Sequence, residues 1–132
     1  MHIDHIGIAV ADLEAAVKTY ETILNSPCTK REVVESEKVE TAFFQTGESK
    51  VELLGATSED SVIAKYVAKK GQGLHHVAFE VEDIYAELDR LRAEGFTILN
   101  EQPKDGADNK LVAFVHPKDN AGVLVELCQS KK

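Results

Sequence analysis

Apolar residues alternate with small or polar ones through HIDHIGIAV at 2–10, the two-residue period of a strand. At Asp12, a good N-cap, the pattern changes to that of a helix, DLEAAVKTYETIL, which Asn25-Ser26-Pro27 stops. Strand-like runs follow at 29–35, 39–46 and 50–55, punctuated by Gly47 and Gly55. TSEDSVIAKYVAKKG reads as a short amphipathic helix, acidic early and lysine-rich late, with Gly71 as its stop. A strand over 74–82, a helix from Asp83 to Glu94 closed by Gly95, and strands over 96–100, 110–116 and 122–128 complete the pattern.

The order strand-helix-strand-strand-strand therefore occurs twice, and the residues repeat with the elements. IDHIGIAVADLEAA at 3–16 lies over LHHVAFEVEDIYAE at 74–87 with an offset of 71. His5 falls on His76, Gly7 on Ala78, Val10 on Val81 and Asp12 on Asp83. Ala42-Phe43-Phe44 meets Ala113-Phe114-Val115 at the same offset, which slips to 74 where Val51-Glu52-Leu53 meets Val125-Glu126-Leu127. The expected organisation is one domain over 1–132, an internal repeat of 1–56 and 73–130 joined by a helical linker at 57–72. Each half leaves a sheet edge and an open apolar face, and pairing the halves buries both.

Within the repeat, each half offers one His on its first strand and one Glu on its last: His5 with Glu52, His76 with Glu126. His5 shares its strand face with Gly7 and Ala9, and His76 shares its own with Ala78 and Glu80, which leaves room for a ligand beside each ring. Glu52 stands between Val51 and Leu53-Leu54, Glu126 between Leu124-Val125 and Leu127. A carboxylate inside an apolar strand is costly unless something neutralises it. Two imidazoles and two carboxylates converging on one divalent cation would do so. A single such His or Glu is more often structural; a duplicated pair at spacings of 47 and 50 residues favours the metal reading. The other histidines have weaker roles: His2 exposed, His75 packing opposite His76, and His116, in HPKD, a loop contact to substrate. Gly71-Gln72-Gly73 is no dinucleotide fingerprint, since His76 stands at the third glycine position and no helix follows.

Bulk properties narrow the partners. With 43% hydrophobic and 29% charged residues, the chain of 132 can bury a core. A net charge of −8, from 23 acidic and 15 basic residues, argues against nucleic acid, whose binding rests on clustered Lys and Arg. No apolar run reaches the roughly 20 residues of a membrane-spanning helix. The N-terminus starts directly in a strand pattern, so a cytoplasmic protein without membrane association is expected. Cys28 and Cys128, without CxxC spacing, read as two reduced, packed thiols.

The stretches DHIGIAV, VELL, EDSVIAKYVAKKGQGLHHVAFEV and FVHPKDNAGVLVEL resemble the vicinal oxygen chelate superfamily over essentially the whole chain. Among its members they are most similar to the methylmalonyl-CoA epimerase family, with HPKD…GVLVEL the most discriminating segment. The resemblance implies an α+β fold in which two paired βαβββ modules form a half-barrel sheet around a metal site. Position by position it places the metal ligands at His5, Glu52, His76 and Glu126. It implies one divalent ion per chain, with cobalt favoured and manganese, nickel, zinc or magnesium as alternatives. It assigns two catalytic acid-base groups to Glu40 and Glu126; Glu40 lies opposite Leu111 in the repeat and so has no twin. The implied reaction interconverts the C2 epimers of methylmalonyl-CoA through a metal-stabilised enolate, in a homodimer. Lys110, Lys118 and Lys69-Lys70 are candidate contacts for the phosphates of the acyl-CoA tail. Rival readings are a lactoylglutathione lyase on the same scaffold, a non-haem iron dioxygenase, disfavoured by the fourth ligand, and a metal-free binding protein of the same superfamily.

Overall fold

The structure, a computed structural model, describes residues 1–131. Its strands and helices follow the doubled order of the sequence pattern. The first module comprises β1 (His2–Val10), α1 (Leu13–Leu24), β2 (Lys30–Val34), β3 (Val39–Thr46) and β4 (Ser49–Ala56). Helix α2 (Val62–Lys70) leads to the second module: β5 (Gly73–Glu80), α3 (Ile84–Ala93), β6 (Lys104–Gly106), β7 (Lys110–Val115) and β8 (Val125–Ser130). The fold is α+β, built of two βαβββ modules. Among the described residues no helix is long and apolar enough to cross a membrane.

Repetition reaches the caps and the registers. Asp12 accepts from the amide of Ala15 at the start of α1, and Asp83 accepts from that of Ala86 at the start of α3, each satisfying an orphan helix donor. β3 pairs with β4 antiparallel, setting Ala42 opposite Leu53 and Phe43 opposite Glu52. β7 pairs with β8 in the equivalent way, setting Ala113 opposite Leu127 and Phe114 opposite Glu126. The slip in repeat offset has a structural cause. β3 and β4 are joined at a tight turn through Gly47 (φ 66°), whereas β7 and β8 are joined through a turn of 3-10 helix at Pro117–Asp119. The second connection has the additional residues.

The described residues divide into two compact units, 6–75 and 1–5 with 76–131. The division cuts β1 between His5 and Ile6 and β5 between His75 and His76, so each unit takes part of both strands. In the first unit, with strand order β2-β3-β4-β1, α1 packs Val17 against Ala42, Phe44 and Leu53. Ile63 on α2 joins Ala9, Val39 and Leu54 in a second cluster. The second unit runs β5-β8-β7-β6, and α3 packs Leu88 and Ile84 against Val81, Ala113 and Leu127. Burial of Leu- and Phe-sized side chains such as these contributes about 1.5–3 kcal/mol each, which makes these helix-on-sheet clusters the main source of stability in either unit.

Three elements depart from the sequence pattern. The strand expected over 96–100 is reduced to one bridge, Ile98 with Val115. Asn100 ends the pairing: its side-chain oxygen accepts from the Phe114 amide, and its own carbonyl accepts from the Arg92 guanidinium. The strand partner of β7 is instead the short β6, which alternation did not reveal. The last strand covers 125–130 rather than 122–128, because Asn120 donates its side-chain amide to the carbonyls of Val115, His116 and Val123 and holds the preceding residues in a turn. Finally, α2 begins at Val62, not in the Thr57 region, because Ser61 takes the N-cap position and accepts from the Ala64 amide.

Candidate metal centre

β5 runs parallel to β8 with Ala78 beside Glu126, and His76 lies two residues earlier along the same face of β5. Alternation on β1 buries His5 with Gly7 and Ala9, and alternation on β5 buries His76 with Ala78, so small neighbours flank each ring as the sequence implied. His5, contributed to the second unit by the start of β1, joins His76 there. The two Nε2 atoms are 3.1 Å apart, and Glu126 presents Oε1 3.3 Å from His76 Nε2 and Oε2 3.7 Å from His5 Nε2. Exposure is 5% for His5 and 6% for both His76 and Glu126. The His76 ring stands edge-on to Phe114, the register partner of Glu126.

Two imidazole nitrogens and a carboxylate, buried and facing one another at these distances, repel unless a proton or a cation lies among them. Ligand atoms about 2.1 Å from a shared ion and at right angles around it lie about 3.0 Å apart, close to the spacings seen here. Borderline nitrogen with carboxylate oxygen suits manganese, cobalt, nickel or zinc. The residues present therefore fit a divalent cation.

His5, His76 and Glu126 come together in this way within the second unit. The fourth expected ligand, Glu52, belongs to the first unit, where it is 4% exposed on β4 opposite Phe43, itself fully buried. The expected base Glu40 sits half-buried on the face of β3 that carries Ala42 and Phe44 and packs against α1, the face opposite Phe43 and its partner Glu52, so the structure does not support it as a base beside Glu52. There Arg31 donates its Nε–H to Glu40 Oε2 at 2.9 Å and its terminal nitrogens to both oxygens of Glu14. These two carboxylates, Glu14 first, hold the Arg31 guanidinium above its ordinary range.

One further sequence assignment changes. Lys110, read as a contact for an anionic tail, is 7% exposed and committed inside the protein. Its ammonium donates to Glu80 Oε1 (2.6 Å), Asp4 Oδ1 (3.2 Å) and Ser130 Oγ (3.2 Å), so it has no surface charge to offer. Lys118, Lys69 and Lys70 are exposed. His116 accepts from the Lys118 amide with its Nδ1 and so caps the 3-10 turn. His75 packs edge-on against Tyr66, and desolvation lowers its pKa. Both cysteines are free thiols, with Cys128 buried. Burial opposes charge on Lys110, but the hydrogen bond to Glu80 and the field of Asp4 more than reverse this and hold the ammonium above the usual lysine range.

Asp4, unassigned in the sequence reading, accepts from His5 Nδ1–H at 2.7 Å through Oδ2 and is 3% exposed. The signal that could have marked it is a charge directly beside the repeated His in an otherwise apolar strand.

The Glu80 carboxyl is held below the ordinary carboxylate range, chiefly by its bond from Lys110 and then from Ser130, against the opposing effect of burial. A depressed folded-state pKa contributes stability that is complete above the unfolded value and lost as pH falls through the folded one. Between pH 5 and 3 the thermal midpoint of the native sequence therefore falls more steeply than that of Glu80→Gln, by a few degrees, measured by circular dichroism at fixed ionic strength. Parallel curves would show that the pair contributes nothing on the acid limb.

Residues 4–114 match the Glyoxalase/Bleomycin resistance protein/Dioxygenase superfamily. The chain is 41% identical over 129 residues to the Bacillus subtilis uncharacterized protein YqjC, covering 98% of this chain and 92% of that one. It is 40% identical over 129 residues to the mitochondrial methylmalonyl-CoA epimerase of Homo sapiens, covering 97% of this chain and 73% of that one. Its structure is similar, with a TM-score of 0.92 and 38% identity, to a variant of Streptomyces coelicolor methylmalonyl-CoA epimerase in complex with 2-nitronate-propionyl-CoA; the match covers 100% of this chain and 99% of that one.

Proposed function

The chain belongs to the Glyoxalase/Bleomycin resistance protein/Dioxygenase superfamily, and from that premise we propose that it is a metal-dependent epimerase interconverting the two C2 epimers of methylmalonyl-CoA. The observation that carries the reading is the buried cluster of His5, His76 and Glu126, a donor set suited to a divalent cation. The substrate class rests on similarity to epimerases, one of them solved with an acyl-CoA.

His5, His76 and Glu126 would hold the cation, and the family resemblance adds Glu52 as a fourth ligand. When bound, such a cation supplies Lewis-acid stabilisation of negative charge developing on the thioester and carboxylate oxygens of a malonyl thioester. The C2 proton is α to the thioester carbonyl, and the ionised carboxylate beside it acidifies it little, so its removal by a side-chain carboxylate would depend on that stabilisation. Epimerisation takes that proton from one face of C2 and returns a proton to the other, which calls for two acid-base groups. Glu126 would be one; Glu40, on the α1 face of β3 and away from Glu52, is not placed to be the second. Arg31 instead ties Glu40 to Glu14 of α1, a structural link within the first unit.

The test is deuterium incorporation at C2 of methylmalonyl-CoA in heavy water. Exchange and inversion are expected with the cation-loaded protein, to vanish on chelation and to return with Co2+. Absence of exchange from protein that carries one cation per chain would overturn the substrate. The hemithioacetal of methylglyoxal and glutathione would then be the next compound to assay.

A further inference from the structure

One of the two histidines in the cluster is held by an unusual arrangement. Asp4 divides its oxygens, Oδ2 to His5 Nδ1–H at 2.7 Å and Oδ1 to the Lys110 ammonium at 3.2 Å. Lys110 spends its other two donors on Glu80 and Ser130, and Ser130 in turn donates to Glu80 at 2.9 Å. Three donors meet three acceptors, so the ammonium is fully satisfied. Asp4, His5 and Lys110 are all buried, and every member of the chain belongs to the second unit.

The scaffold does not require these charges. In the repeat, Lys110 occupies the position of Val39, Asp4 that of His75 and Glu80 that of Ala9. Val39 is buried to the same 7% as Lys110, so an aliphatic side chain suits this place in the module. Buried ion pairs are often replaced by apolar residues at no loss of stability. Packing therefore does not explain a lysine and two carboxylates here.

We propose that Asp4 and Lys110 are positioning residues for His5. Lys110 anchors the Asp4 carboxylate, and Asp4 fixes the His5 ring with its proton on Nδ1, so that the Nε2 lone pair faces His76 and Glu126 as a cation ligand. A carboxylate behind a ligating imidazole fixes the tautomer and strengthens the donor nitrogen. Lys110 serves as the internal counter-ion, its ammonium holding Asp4 Oδ1 while Oδ2 meets the His5 ring. The inference rests on the cation reading above, but the His5 tautomer can be observed without any metal.

The experiment compares wild type with Asp4→Asn, Lys110→Met and the double variant. Titration with Co2+ reads cation affinity, and nitrogen-15 NMR of the metal-free imidazoles reads the His5 tautomer. Each single variant is expected to weaken Co2+ binding by about 10–100-fold. The double variant is expected to be no weaker than the single ones, because both changes act through the same carboxylate. Its metal-free thermal midpoint is expected to fall by no more than a few degrees, since the one acid that loses a partner, the half-buried Glu80, keeps its bond from Ser130. In wild type His5 carries its proton on Nδ1, and in the Asp4→Asn variants that preference is lost. Co2+ affinity within twofold of wild type in a folded double variant, with the tautomer unchanged, would overturn the proposal and leave a purely structural ion pair. If wild type binds no Co2+ at all, the cation reading fails, and the NMR alone decides whether Asp4 sets the His5 ring.

Discussion

His76→Ala should abolish Co2+ binding and, with it, the proposed epimerisation. The substitution deletes the ligand whose Nε2 lies 3.1 Å from that of His5 and 3.3 Å from Glu126, so no pair of the cluster's close contacts survives except His5 with Glu126 at 3.7 Å. Loss of a partner behind a ligand weakens metal sites by about 10–100-fold, and loss of the ligand itself exceeds that. Metal content after gel filtration should fall from near one per chain to near zero. Lewis-acid stabilisation of several kcal/mol corresponds to a turnover loss of about a thousandfold or more. A second readout does not depend on turnover. A ligand at a thousand times its Kd stabilises the native state by about 4 kcal/mol, so Co2+ should raise the wild-type midpoint by roughly 10–15 °C and leave His76→Ala unmoved. Because Phe114 packs against the ring, His76→Ala also leaves a cavity; Glu126→Gln, which keeps its shape, is the companion variant and should lose the same shift. A metal-induced shift that persists in both variants would place the cation elsewhere in the chain.

The duplication made most of the fold readable from the sequence. Two aligned copies of one pattern constrain each other, so Asp12 and Asp83 could be recognised as caps and Phe43-Glu52 and Phe114-Glu126 emerge as equivalent register pairs. The reading fails where the copies diverge. At Asn100 a side chain replaces the backbone as partner of the Phe114 amide, and at Asn120 a side-chain amide organises a turn; neither leaves a trace in hydrophobic period. The same holds for the site. His5, His76 and Glu126 were legible because they repeat. Asp4 and Lys110 were not, because their mates are His75 and Val39, and a charge without a twin looks like surface until its burial is known. Lys110 shows how far that misleads: its stem and ammonium lie within the second unit, and the acids around it rather than solvent keep it charged.

Glu40→Gln tests the expected base against its position, and inversion at C2 should stay within a few-fold of wild type. β3 sets Glu40 opposite Gly55 on the face that carries Ala42 and Phe44 and packs against α1, while Phe43 and Glu52 occupy the other face. Arg31 holds the Glu40 carboxylate at 2.9 Å and grips Glu14 of α1 with its terminal nitrogens. Loss of an acid-base group that reaches the reacting proton costs about 10²–10⁴-fold, and a carboxylate tied to α1 on the far face of β3 does not reach it. Glutamine keeps the shape of the side chain but cannot accept a proton at neutral pH, so the substitution removes the base and leaves the packing. Each pure epimer of methylmalonyl-CoA, incubated separately in heavy water and followed by mass spectrometry with chiral analysis, reports exchange and inversion independently. Slowing by the full factor, in either epimer, would return Glu40 to the chemistry. Unchanged exchange from both would leave it as a partner of Arg31. The lack of a twin then has a plain reason: Leu111 stands at the Glu40 position of the second module, and the ion pair with Arg31 belongs to the first alone.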